Sequence, residues 1–197
     1  LFSDVGDIYI DGKRVDHLPE FKRSRYIGRV FQDPMAGTAP SMTIEENLAI
    51  AYSRIQKRRL TLGVTKKRRD LFRELTAKVG LLSGGERQAL SLLMATFTEP
   101  NILLLDEHTA ALDPARAELI TELTAEMVEK FELTTLMVTH NMQQALDMGN
   151  RLSMMDAGQI ILDVSGEEKS KLTIKKLLEE FQRIRGRQLA SDQTVLG

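Results

Sequence analysis

An α/β fold, with helices flanking a mixed central sheet, is what this sequence predicts, and three observations carry it. The run Ile102-Leu103-Leu104-Leu105 is apolar throughout, as a strand covered on both faces must be, and it ends in Asp106-Glu107. The stretch Leu82-Ser83-Gly84-Gly85-Glu86-Arg87-Gln88 reads as a Gly-rich turn opening a helix. Around these two, strand-like and helix-like segments follow one another along the chain.

Each of the first two has a chemical meaning. Glycines leave backbone amides uncovered, and the start of a helix adds partial positive charge, so the turn is a seat for an anion. An open α/β sheet binds ligands at the C-terminal ends of its strands, where Asp106 and Glu107 fall. A phosphate seat, a metal carboxylate and a candidate base together suggest a nucleotide and its Mg²⁺.

Composition narrows the classes. The chain has 197 residues, enough for one domain with a substantial core and a possible subdomain. Its formal net charge of -1 gives no overall attraction to nucleic acid or acidic lipid. The absence of cysteine excludes disulfides and thiolate metal sites, and fits a reducing compartment. No apolar run approaches the ~20 residues needed to span a bilayer, and Leu1 onward lacks the pattern of a signal peptide. The expectation is a soluble or peripheral protein.

Taken in order, Ile8-Tyr9-Ile10 predicts a strand and Asp11-Gly12 a hairpin turn. Gly6 to Gly12-Lys13 is a near miss to a phosphate loop. It has five intervening residues where four are needed, and Arg14 stands where Ser or Thr should be, so the match is rejected. Arg25 to Phe31 predicts a second strand, ending at Gln32-Asp33-Pro34. A helix starts at Thr43 to Leu48, capped by Ser41 or Thr43. From Arg54 to Arg73 the chain is strongly basic, either a solvated helical face or a patch near lipid headgroups or a membrane partner.

Arg87 to Phe97 predicts a helix with Leu90, Leu93, Met94 and Phe97 at helical spacing. Asp113 as N-cap and Pro114 at the first helical position open another, Ala115 to Phe131, with Leu119, Leu123 and Met127, beside Ile120, Val128 and Phe131, on the side that packs on the sheet. Thr134 to Thr139 is β-rich and leads to His140. A short helix from Asn141 ends at Gly149. Arg151 to Met155 and Gln159 to Val164 form a hairpin around Asp156-Ala157-Gly158. The tail from Leu172 to Ile184 is amphipathic and packs on the core.

These motifs, in this order, resemble those of ATP-binding-cassette (ABC) transporter ATPases of the bacterial importer type. Leu82 to Gln88 resembles the signature motif and Ile102 to Glu107 the Walker B motif. Phe31-Gln32-Asp33-Pro34 looks like the Q-loop, and His108 to Pro114 like the D-loop. The resemblance implies a P-loop NTPase-type core over residues 1–197, with a helical subdomain at about 34–97. It also implies a phosphate loop and an adenine-stacking aromatic residue upstream of Leu1, and a connection before Val79 longer than the one present.

What the resemblance implies for the site is specific. Asp106 would hold Mg²⁺, and Glu107 would be the general base or water-polariser. Gln32 would reach the metal and the attacking water, and His140 would contact the γ-phosphate. Ser83, Gly84, Gly85 and Gln88 would bind ATP held mainly by a second ATPase subunit, with Asp113 crossing that interface. His108, where most ABC ATPases have proline, is read as a branch marker with a structural role. The implied partners are transmembrane permease subunits, a second copy of the ATPase, and an extracytoplasmic substrate-binding protein, with no nucleic acid. The place is the inner face of the cell membrane. The string Asp106 to Pro114 resembles importers for amino acids of the tryptophan/tyrosine type. Two other readings compete: an ABC-type ATPase outside transport, and a non-catalytic regulatory module without a phosphate loop.

Overall fold

The computed structural model describes residues 5–53 and 76–183, so the basic run and the last residues of the tail lie outside the described residues. The chain divides into two compact units, Leu1–Val138 and Thr139–Gly197.

The first unit is built on a parallel sheet in the order β3-β4-β5, with β3 at Ile27–Val30, β4 at Ile102–Asp106 and β5 at Thr134–Val138. The apolar run therefore became the central strand. Parallel neighbours need a crossover, and helix α4 (Pro114–Lys130) supplies the one between β4 and β5. The strand expected from Arg25 is shorter at both ends, because pairing with β4 begins at Ile27↔Ile102 and ends at Val30↔Leu105.

One face of the sheet is sealed. Val30, Leu103 and Leu105 pack with Leu92 and Ala95 of helix α3 (Gly84–Thr96) and with Leu133, while Leu123, Met127 and Val128 of α4 close over them. Each such side chain taken fully out of water contributes roughly 1.5–3 kcal/mol. Gly28 lets α3 come this close. A Cβ there would stand 2.5 Å from the carbonyl oxygen of Ala95, so no other residue fits without moving the helix.

Helix α3 differs from its sequence reading in a way that packing explains. Leu92 and Ala95 face the sheet, whereas Leu90 packs with Leu48 and Val79, and Met94 lies against that second cluster. Because the helix serves two clusters, Leu93, expected inside, is 39% exposed. Leu119 of α4, also expected inside, is 61% exposed, while Ile120, expected beside it, is buried together with Thr124.

The second cluster is held by helix α2 (Ile44–Ser53). Of the two candidate caps Thr43 serves: its Oγ1 accepts the Glu46 amide at 3.2 Å, and the Glu46 carboxylate accepts the Thr43 amide at 2.8 Å. The segment before the Gly-rich turn lies alongside, with the Val79 amide donating to the Met42 carbonyl at 3.0 Å. The N-terminal hairpin pairs β1 (Tyr9–Ile10) with β2 (Lys13–Arg14). Asp11 and Gly12 take φ of 48° and 71°, the conformation of a two-residue hairpin turn, so Gly12-Lys13 is not a phosphate loop. A four-residue helix, α1 (Glu20–Arg23), leads into β3.

In the second unit, helix α5 (Met142–Asp147) precedes the hairpin of β6 (Arg151–Asp156) and β7 (Gln159–Ser165). Ala157 and Gly158, at φ of 46° and 79°, make its turn. Helix α6 (Gly166–Ser170) follows, then residues 174–183 are helical with Leu177 buried among them.

Candidate functional site

The register of the parallel sheet builds the centre of the site. Val30 pairs with Leu105, an offset of 75 (105 − 30), so two residues beyond this last pair Gln32 comes opposite Glu107 (107 − 32 = 75). The side chains meet there: Gln32 Nε2 donates to Glu107 Oε2 at 3.1 Å.

Glu107 leaves β4 in a left-handed conformation, at φ of 44°, uncommon for a residue with a side chain. Neighbours hold it. Its amide donates to the Val138 carbonyl at 2.9 Å, and its own carbonyl accepts the Ala110 amide at 2.9 Å. Backbone held in such a region is a recurring mark of functional sites.

Asp106 ends the strand and carries a contact that the sequence reading missed. Arg29 donates to its Oδ2 at 2.9 Å, with the guanidinium lying 4.5 Å from the centre of the Phe31 ring. Both groups are about half exposed, so the pair adds little stability and leaves Asp106 able to take another cation. The contact follows from the register of β3 on β4, since Arg29 pairs with Leu104 and so shares a face with Asp106 two residues on.

The Gly-rich turn forms a second group. Ser83 is the N-cap of α3, accepting the Glu86 amide at 3.4 Å, while the Glu86 carboxylate accepts the Ser83 amide at 2.8 Å. These Ser83 bonds hold the Glu86 carboxyl below its ordinary range. Gly84 faces Leu112 and Gly85 faces Arg116, so this turn lies against the loop and first turn of α4. There Asp113 caps α4 as expected, accepting the Arg116 amide at 3.2 Å.

Gln88, expected at the nucleotide, has other surroundings. It is 1% exposed, and its Nε2 donates to the Phe31 carbonyl at 3.1 Å. It therefore ties α3 to the residue before Gln32. His108 is 1% exposed as well, with Nε2 3.2 Å from Thr124 Oγ1. Burial pushes its pKa down from 6.5 to about 4, so the imidazole is neutral.

His140 belongs to the second unit, exposed and immediately before Asn141, the N-cap of α5, whose side chain accepts the Gln144 amide at 3.1 Å. Thr139 on its other side donates to Gln144 Oε1 at 2.8 Å. His140 thus sits in a turn locked by hydrogen bonds on both flanks.

Among the described residues no group of three or more His, Cys, Asp or Glu could cage a metal. The donor set at the strand ends suits Mg²⁺ bound in the other manner, through one carboxylate and an amide oxygen with waters and substrate phosphates completing the shell. No helix among the described residues is long and apolar enough to cross a membrane.

Known proteins resemble this chain in sequence and fold. Residues 2–110 match the ABC transporter family. The chain is 44% identical over 188 residues to a tyrosine transport ATP-binding protein of Clostridioides difficile, covering 90% of this chain and 75% of that protein. It is 31% identical over 167 residues to a probable branched-chain amino acid transport ATP-binding protein, LivF, of Archaeoglobus fulgidus, covering 83% and 70%. Its fold matches a dimeric, post-hydrolysis ATP-binding cassette, MJ0796, bound to ADP and phosphate, with a TM-score of 0.66, 25% identity, and coverage of 82% and 74%. ATPases of this type work in pairs with transmembrane permease subunits. The α/β fold, the order of motifs and these likenesses agree, and the chain belongs to the ABC transporter ATP-binding proteins, a family of ATPases.

Proposed function

We propose that this chain drives a bacterial importer of amino acids, with aromatic amino acids of the tyrosine type as cargo. The observation that carries the chemistry is the 3.1 Å contact between Gln32 and Glu107 beside Asp106. The likeness to the tyrosine transport protein supports the cargo.

Hydrolysis needs a water held in line with the γ-phosphorus and a group to take its proton. Glu107 accepts that proton as the new P–O bond forms and the bond to ADP breaks. Gln32, donating to the Glu107 carboxylate through Nε2, keeps its Oε1 for the metal or the water. Asp106 holds Mg²⁺, which when bound neutralises charge on the β- and γ-phosphates. Ser83, Gly84 and Gly85 supply amides and a hydroxyl to the γ-phosphate of ATP bound by a second copy, and Asp113 lies at that interface. His140 acts on the γ-phosphate, an assignment that rests on its place in the sequence.

In this reading two ATPase subunits sit on the inner face of the cell membrane, docked to two permease subunits and supplied by an extracytoplasmic binding protein. The helical region within residues 34–97 passes the closure of the pair to the permease.

The test is reconstitution of the full-length protein with its permease and binding protein in liposomes. Tyrosine in the external medium should stimulate ATP turnover several-fold, and labelled tyrosine should accumulate. Stimulation by leucine or valine alone would replace the aromatic cargo with a branched-chain one. No response to any amino acid would overturn the importer reading.

A further inference from the structure

We propose that His108 is a positioning residue for ATP hydrolysis: its buried bond to Thr124 ties the loop 107–113 to the interior of α4 and holds Glu107 opposite Gln32. The inference rests on Glu107 being the base.

The hydrogen-bond directions can be assigned. The Thr124 hydroxyl lies 2.6 Å from the Ile120 carbonyl, and its single hydrogen is committed there. Its oxygen can then only accept from His108, 3.2 Å away, so the imidazole carries its hydrogen on Nε2. An N–H···O–H···O=C chain therefore runs from the loop into the second turn of α4.

Among residues 107–113 His108 alone is buried. The loop is also braced by its own backbone, with the Ala110 amide on the Glu107 carbonyl and the Leu112 amide on the Thr109 carbonyl, and at its ends by the Glu107 amide on Val138 and the Asp113 cap of α4. Glu107 also sits at φ of 44°, a conformation that persists only where the surroundings impose it. The adjoining residue ties the loop to the interior of α4, next to Glu107 itself, so it sets where the Glu107 carboxylate falls. His108 is fully buried, while the apolar clusters that hold the sheet and α2 are formed by other residues, so the smaller change at Thr124 is the one that perturbs the fold least.

The bond is broken and restored most cleanly from the threonine. In the full-length protein, Thr124→Val removes the hydroxyl at nearly constant shape, Thr124→Ser returns it, and His108→Ala removes the imidazole. The kcat for ATP and the Kd of a fluorescent ATP analogue are measured for each, with a melt to check folding. Thr124→Val and His108→Ala should lower kcat roughly ten- to hundredfold, the scale of a misplaced reacting group. Kd should stay within about twofold, and Thr124→Ser should recover kcat. The double variant should be no slower than either single one, because both remove the same bond.

Parental kcat in Thr124→Val would overturn the proposal, as would parallel loss of Kd and kcat with no recovery in Thr124→Ser. If His108→Ala fails to fold, the threonine pair decides alone. Glu107→Gln run alongside separates the two readings. Parental turnover there removes the base, and this inference with it, whereas an inactive Glu107→Gln beside a fully active Thr124→Val removes only the positioning role.

Discussion

Gln32 and Glu107 lie 75 residues apart in sequence, and their side chains meet at 3.1 Å because two parallel strands share one register. The contact joins the turn after an outer strand to the turn after the central one. Any shift of β3 along β4 would separate them.

Replacing Gln32 by Ala should therefore lower kcat by about tenfold or more, by removing this bond to the Glu107 carboxylate and losing the amide oxygen. The bond lies at the surface, so the melting temperature should move little. Steady-state turnover and a thermal melt on the same preparation check both halves.

Gly28 gives a test of the fold. In Gly28→Ala the new methyl would stand 2.5 Å from the Ala95 carbonyl oxygen, against the backbone of α3. Overpacking of this kind should destabilise the protein by about 1–3 kcal/mol. Urea denaturation is the measurement. An unchanged midpoint would mean that α3 can move off the sheet at no loss.

Lys169 makes a separate prediction for the second unit. It is buried, and its ammonium donates to the carbonyls of Met148 at 2.8 Å and Gly149 at 2.9 Å and also to that of Leu146, satisfying the C-terminal end of α5. Lys169→Met should cost about 1.5–3 kcal/mol, the range for bonds to a charged group. Hydrogen exchange should speed up in α5 before it does in β6 and β7.

Much of this was legible in the residues, and the exceptions have physical causes. The caps at Thr43 and Asp113 and the turns at Asp11-Gly12 and Ala157-Gly158 follow from residues acting on their own neighbourhood, which sequence carries directly. The burial of α3 was misread at Leu93 because one helix packs against two clusters at different angles, which a single apolar stripe does not describe. Gln88 was placed at the nucleotide by its motif, yet its side chain turns inward to Phe31, a partner 57 residues away. The Arg29–Asp106 pair needed the register of β3 on β4, which no local pattern sets.

The neutral, buried His108 gives stability a pH dependence. Its folded pKa of about 4 lies below the ordinary 6.5, so the unfolded chain binds its proton first. The contribution is complete above pH 6.5 and is lost as pH falls through that value toward 4, by about 3 kcal/mol in all. Chemical denaturation between pH 7 and pH 4 should show this loss in the parent, and a smaller one in His108→Gln.

Glu107→Gln in the full-length protein decides whether Glu107 takes the proton from the attacking water. ATP binding and single-turnover hydrolysis would be measured side by side, with the oligomeric state followed by light scattering. Nucleotide affinity should stay within a few-fold of the parent, hydrolysis should be at least about a hundredfold slower, and a dimer should persist while ATP is present. Hydrolysis at the parental rate would contradict this role of Glu107, and another group would have to take the proton.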